Sequence, residues 1–294
     1  MRACVGVLLA GVAATLAAAC FDFDATTAGG SAPDAATAPG DATVDGSTAD
    51  VAVGDSGGGG RPDGGSYCAS LPHDAGIFFC DDFDERPLPG SWNEWREVGG
   101  SIDETDASWV SPPHAIDEVT QVLDAGQPVD VSLRTPLGVP AVPATLRFGF
   151  EVEPVQTDPT ANAAIVLGAV DFLDGAGNRY TVDLAIDVVS GFPALTLDEQ
   201  SGFADGGASY VRHPLPPTKP LPVNAWTDLV LEIDWTAPGT AEGLVMVDGA
   251  KEADVSLTMT VAPASLQIGV GTPYVSEPAP VWELRYDNVR FIAM

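Results

Sequence analysis

Cations are scarce in this sequence. Lysine and arginine number 12 against 42 aspartates and glutamates, a formal net charge of −30. So acidic a chain repels nucleic acid and anionic lipid headgroups, which excludes both as electrostatic partners. Its carboxylates suit a solubilising surface or calcium ligation. Cysteine is scarce too, with 4 residues, and the 3 histidines, His73, His114 and His213, are scattered. No two of them share a motif, so neither a zinc cluster nor a nucleophile–base pair is visible. Beyond residue 19 no run reaches the roughly 18 apolar residues of a spanning helix. No stretch of about ten residues there holds a helical period.

What is present begins with an export signal. Met1-Arg2 precedes an apolar run over residues 5–19 that ends Leu16-Ala17-Ala18-Ala19-Cys20, so residues 1–19 are excluded from the fold. The ending resembles a bacterial lipobox, which implies cleavage before Cys20 and its lipid modification. The lipobox prefers Leu three residues before the Cys; this chain has Ala17 there and Leu16 one position further out. The alternative is ordinary secretion after Ala-x-Ala. An acylated Cys20 would hold the mature chain at the membrane while its body stays aqueous. Phe21 after the Cys implies, by the same resemblance, anchoring in the cell envelope at the outer membrane.

Residues 20–66 are rich in Ala, Gly, Thr, Ser, Pro and Asp, with almost no large apolar side chain after Phe23. Such a segment buries too little to offset its ordering entropy and reads as an extended, acidic, disordered tether. Within it, Gly54-Asp55-Ser56-Gly57-Gly58 matches a serine-protease nucleophile motif. No His precedes it and no strand leads into it, so it reads as a chance match.

The globular region is read as 67–294. Cys68 and Cys80 form an even pair in an exported chain, which predicts a disulfide; a two-Cys metal site is the alternative. Strands are predicted over 129–133, 145–152, 163–172, 180–188 and 194–197, parted by Pro, Gly and Asp. Asp174-Gly175-Ala176-Gly177-Asn178 reads as a hairpin loop, and 211–223, with its prolines, as an irregular crossover. The clearest element is 225–249. Thr227, Leu229, Leu231, Ile233 and Trp235 fall on one parity and Asp228, Glu232 and Asp234 on the other, followed by Leu244-Val-Met-Val247 and Asp248-Gly249. This is a half-buried strand, its hairpin partner and a tight turn.

That hairpin resembles the core hairpin of concanavalin A-like sandwiches, a group that includes laminin-G-like domains, legume-type lectins and family 16 glycoside hydrolases. Ile77-Phe-Phe-Cys-Asp-Asp-Phe-Asp84 with Trp92 and Trp95 resembles the opening of family 16-type sandwiches. Trp282 to Phe291, with Asp287-Asn288-Val289, resembles their terminal strand. The resemblance implies an all-β, two-sheet antiparallel jelly roll, with a galactose-binding-like jelly roll as the rival. It also implies a structural calcium ion using Asp287 and an N-terminal carboxylate near Asp84. The competing expectation is that Asp287 faces solvent or pairs with Arg285 or Arg290.

Retaining glycosidases need two carboxylates about 5–5.5 Å apart. Family 16 enzymes carry them as Glu-x-Asp-x-Glu on one strand. Here Glu232-Ile-Asp234 has no second Glu, and the pair reads as the solvent face of a strand. No catalytic residue is therefore assigned. The expected function is a lipid-anchored, non-catalytic domain binding polysaccharide or a surface protein, with Trp92, Trp95, Trp109, Phe203, Tyr210 and Tyr274 in or near its loops. The alternative is a divergent glycan hydrolase or lyase whose groups no local motif reveals. The sequence names no ligand. Replacing Cys20 with Ser should move the protein from the membrane to the soluble fraction; normal processing with unchanged membrane attachment would refute the anchor.

Overall fold

The computed structural model describes residues 66–71, 77–84, 87–121, 129–140, 144–157, 164–189, 192–202, 207–215, 221–237, 240–259, 263–273 and 281–294. The export signal, Cys20 and residues 20–65 of the expected tether lie outside the described residues, as do His73, Phe203 and Tyr274. Among the described residues there is a 3-10 turn, Cys68–Ser70, and no α-helix.

The strands, numbered along the chain, form two sheets. One has eight strands: β13 (Ala250–Leu257), β12 (Thr240–Val247), β11 (Thr227–Ala237), β6 (Ala144–Gln156), β15 (Glu283–Ala293), β4 (Ala115–Thr120) and β3 (Gly100–Thr105), with β1 (Ile77–Asp81) also paired to β15. The other has seven: β10 (Ala208–Pro214), β9 (Phe192–Gly202), β8 (Arg179–Val189), β7 (Ala164–Leu173), β14 (Ser265–Thr272), β5 (Asp130–Leu137) and β2 (Glu94–Val98). Neighbours pair antiparallel throughout, and the sheets enclose one core. This is the two-sheet antiparallel sandwich that the resemblance implied.

Period-2 patterning decides which side chains enter that core. β11 buries Thr227, Leu229, Leu231, Ile233 and Trp235, and β8 buries Tyr180, Val182, Leu184 and Ile186. Rings then meet across the layers, with Phe172 of β7 and Trp235 of β11 having centroids 6.2 Å apart. Gly168, beside a bulge in β7, lets the eight-stranded sheet's phenylalanines approach. A Cβ there would lie 2.5 Å from the Phe150 ring and 3.0 Å from that of Phe148.

Local expectations mostly hold. Asp248 (φ 51°) and Gly249 (φ 73°) make the left-handed two-residue turn between β12 and β13. Asp174 accepts the backbone N–H groups of Ala176 and Asn178, both at 2.8 Å, and closes the β7–β8 hairpin. Cys68 and Cys80 are disulfide-bonded. The reading of 211–223 as irregular is corrected at its start. β10 runs on to Pro214, which an edge strand tolerates because no second neighbour needs its missing N–H. The β3–β4 hairpin was not predicted; its turn-rich connection 106–114 hides two short strands.

One buried acid spans the layers. Glu118 of β4 accepts the backbone N–H of Thr272 in β14 at 3.0 Å. Burial pushes its pKa from 4.5 up to about 8, against the pull of the neighbouring Thr272 and Tyr286 side chains. A folded-state pKa above the unfolded one means the contribution is whole below the unfolded value and lost as pH rises through the folded one. Thermal midpoints should therefore fall between about pH 5 and about pH 9. Glu118→Gln should reduce that fall; an identical pH profile in the variant would show that Glu118 is not neutral in the fold.

Candidate functional site

The face of the seven-stranded sheet turned away from the core should be its watered side. It is polar, yet much of it is buried. Asp171, Thr181, Asp183, Thr196 and Asp198 are each under a tenth exposed, as are Ser132 and Arg134. Register explains why they meet. Across the strands run Arg212 (β10), Asp198 (β9), Asp183 (β8), Ala169 (β7), Gly269 (β14), Arg134 (β5) and Glu94 (β2), each opposite the next. The adjoining row holds Tyr210, Gln200, Thr181, Asp171 and Gln267. Ala169 and Gly269 leave the middle low. The Arg134 stem fills part of it, its Cγ 3.1 Å from where a Gly269 Cβ would stand.

The side chains are layered. Asp171 accepts Arg179 Nε at 3.0 Å and Nη2 at 2.6 Å. Asp198 accepts Arg212 Nε at 3.0 Å and Nη2 at 2.9 Å, and the Tyr210 hydroxyl at 2.6 Å. Arg212 also reaches Asp187, and Arg134 donates to Asp130 at 2.7 Å. The carboxylates lie beneath: the Asp171 and Asp198 side chains are 7% and 5% exposed, against 32% and 30% for Arg179 and Arg212. Bidentate pairing of this kind fixes each guanidinium plane. Tyr210 stands at the rim, with the Arg212 guanidinium 5.5 Å from its ring centroid.

Ionisation follows from the burial. Asp183 is pushed well above the ordinary carboxylate range by burial and then by the charges of Asp171 and Asp198. Tyr210 is raised above 10, first by burial and then by its bond to Asp198, so it is a phenol at neutral pH. Asp198 keeps Arg212 protonated despite the opposing effect of burial.

Apart from Tyr210, the residues singled out from sequence are placed elsewhere. Glu232 pairs with Arg147, and Asp234 accepts the Thr145 hydroxyl at 2.7 Å, both on the outer face of the eight-stranded sheet as expected for a solvated parity. Asp287 is buried. Its Oδ2 accepts the N–H groups of Val110 and Ser111, each at 2.8 Å, and its Oδ1 accepts that of Asn288 at 2.7 Å. Burial raises its pKa to about 7. Asp84 accepts the His114 N–H at 3.1 Å. Both carboxylates thus anchor loop backbone, and neither solvent nor an arginine takes the Asp287 oxygens. Among the described residues no group of three or more His, Cys, Asp or Glu could hold a metal ion. Of the aromatics, Trp92 is core, whereas Trp95, Trp109 and Tyr210 are exposed. His213 directs Nε2 at the buried Glu199, 2.6 Å away.

No protein-family model matches the chain, and no curated protein matches it. Solved structures do. The endo-beta-1,4-glucuronan lyase of the fungus Trichoderma reesei is 18% identical, with a TM-score of 0.53 over 72% of this chain and 94% of that one. The shared fold is a two-sheet antiparallel jelly-roll sandwich. The PL-14 alginate lyase of Aplysia kurodai (10% identity, TM-score 0.42, 66% of this chain and 87% of that one) is more distant. So is the alginate lyase of Klebsiella pneumoniae (11%, 0.42, 68% and 85%). The expectation of a non-catalytic binding domain is corrected: the structure that shares the fold is a polysaccharide lyase, which favours the alternative reading, a glycan-cleaving enzyme. The expectation looked for two carboxylates on one strand, whereas the polar groups of this face come from all seven strands of its sheet.

The Tyr210–Asp198 bond has a spectroscopic signature. Asp198→Asn removes a negative charge next to the phenol, so the Tyr210 ionisation should move down toward 10. The ultraviolet tyrosinate titration, with Tyr210→Phe as the subtracted control, measures it. An unmoved tyrosine would mean that the two groups do not interact.

Proposed function

We propose that this chain is a lyase that cleaves an acidic, uronate-containing polysaccharide by β-elimination on the outer face of the seven-stranded sheet. The observation that carries the reading is the gathering of Arg96, Arg134, Arg179 and Arg212 on that one face, four of the chain's 12 cations. The glucuronan lyase that shares the fold supports the same substrate class.

Elimination passes the proton α to a uronate carboxylate to a base, forms a carbon–carbon double bond and expels the glycosidic oxygen on the next carbon, which takes a proton from a donor. Negative charge builds on the carboxylate as the proton leaves, so fixed cations beside it lower the barrier. Arg179 and Arg212 are each held by a buried aspartate and partly open to solvent, so each offers a fixed cation to a uronate carboxylate of the polymer. Tyr210 remains a phenol and is exposed, and its hydroxyl would donate to the leaving oxygen after exchanging its bond to Asp198 for one to the substrate. An envelope anchor at Cys20 would hold this face near extracellular or periplasmic polymer.

The direct test incubates the purified protein with glucuronan and with alginate. Lyase action yields ultraviolet-absorbing unsaturated ends, whereas new reducing ends without that absorbance would mean hydrolysis and overturn the reading, as would no cleavage at all. Tyr210→Phe should lower kcat by about 10²–10⁴-fold. A chain of net charge −30 repels an anionic polymer at long range, so kcat/KM should rise as salt is raised to about 0.15 M.

A further inference from the structure

The carboxylate that matters most on this face is one that no arginine holds. Asp171 has Arg179 and Asp198 has Arg212. Asp183 sits directly opposite Asp198 and diagonal to Asp171, across from Ala169. Its recorded hydrogen bond is from the Gln200 amide, Nε2 to Oδ2 at 2.8 Å, and among the described residues it has no ion pair. It is buried.

We propose that Asp183 is a positioning residue of this face: as a hydrogen-bond donor wedged between Asp171 and Asp198, it lets each of those carboxylates keep its own arginine. A buried charge without a cation is strongly disfavoured, and two like charges on neighbouring strands disfavour it further. The proton therefore rests on Asp183, which makes it a donor as well as an acceptor. Gln200 donates to Oδ2, which leaves Oδ1 for the proton, and register sets the Asp198 carboxylate opposite and the Asp171 carboxylate diagonal to it. The charged and titratable groups around it are Asp171 from β7, Asp198 from β9, Arg179 on its own strand, Arg212 and Tyr210 from β10, and Arg134 with Asp130 from β5. Burial and the two flanking charges outweigh Arg179 and Gln200 in setting its ionisation.

When Asp183 loses its proton, the donor becomes a third negative charge. Asp198 then faces repulsion from the side that had steadied it. Both Arg212 and Tyr210 are bonded to Asp198, so both should shift. Asparagine keeps a donor at the same place without the ionisation; alanine keeps neither. What this face acts on rests on the lyase reading above, but what Asp183 does to its neighbours does not.

Two measurements on the full chain separate these. With carboxyl-carbon-labelled aspartate and nitrogen-labelled arginine, nuclear magnetic resonance should show an aspartate still protonated at neutral pH, absent from Asp183→Asn. The Arg212 Nε–H resonance, assigned through Arg212→Lys, should move with the same alkaline midpoint and should stay still in Asp183→Asn. An Asp183 already ionised at neutral pH, or an Arg212 resonance that titrates alike in both proteins, overturns the proposal. With glucuronan as substrate, the alkaline limb of kcat should follow that midpoint and be displaced in Asp183→Asn. Asp183→Ala should lose on the order of tenfold to a hundredfold in kcat, more than Asp183→Asn. An alkaline limb unchanged in Asp183→Asn also overturns it. If neither glucuronan nor alginate is cleaved, the lyase reading falls and the resonance measurement decides Asp183 by itself.

Discussion

Strand β15 is the constraint on which the sandwich depends. It pairs with β6 on one side and with β4 and β1 on the other, so the two flanks of the eight-stranded sheet join through it. Leu284, Tyr286, Val289 and Phe291 enter the core from it. Its polar residues fix what surrounds it: Arg285 spans Asp117, Glu153 and Glu283 on neighbouring strands and its own, and Asp287 holds the loop at Val110 and Ser111. Arg290 lies against Gly149, pairs with Asp228 and stands 5.8 Å from the Tyr67 ring centroid. This contact and the adjacent disulfide tie Tyr67 and Cys68 to the same strand and its neighbour β1.

The seven-stranded sheet solves a different problem. A chain with 42 acids and 12 cations cannot pair every carboxylate. On the outer face of this sheet it pairs selected ones, Asp171, Asp198 and Asp130, and leaves Asp183 to a proton. A buried ion pair adds little net stability, since desolvation offsets most of the attraction. Its effect is geometric: guanidinium groups are held in fixed planes and half-turned to solvent. That is the property a catalytic or binding face needs and a merely solvated face does not.

How far the sequence reveals this follows from how local each signal is. The strand 227–235 and the Asp248-Gly249 turn were readable because alternation and turn chemistry span only neighbouring residues. The Cys68–Cys80 bond followed from parity. The candidate face was not readable in the same way. Asp171, Asp183 and Asp198 each stand on the polar parity of an ordinary amphipathic strand, and only sheet order and register bring them side by side. β14 lies between β7 and β5 although a hundred or so residues separate it from either, an arrangement no local pattern specifies. One signal was available: in a cation-poor chain, Arg134 and Arg179 each adjoin the end of a predicted strand, whereas Arg212 fell in the stretch read as irregular.

The pairing of β1 with β15 has a consequence for how the molecule comes into being. Phe79 is opposite Phe291. A polypeptide is made from its N-terminus, and parts of it begin to fold during synthesis. The Ile-Phe-Phe segment of β1 must therefore wait through almost the entire translation of the domain before its neighbour exists. During that interval its apolar side chains and open backbone groups are an invitation to pair with another nascent chain. The nearby cysteines are within 12 residues of each other, so their cross-link can form early and shorten the freely moving stretch. Yield in a reducing host should consequently suffer from misassembly at birth more than from any weakness of the finished sandwich.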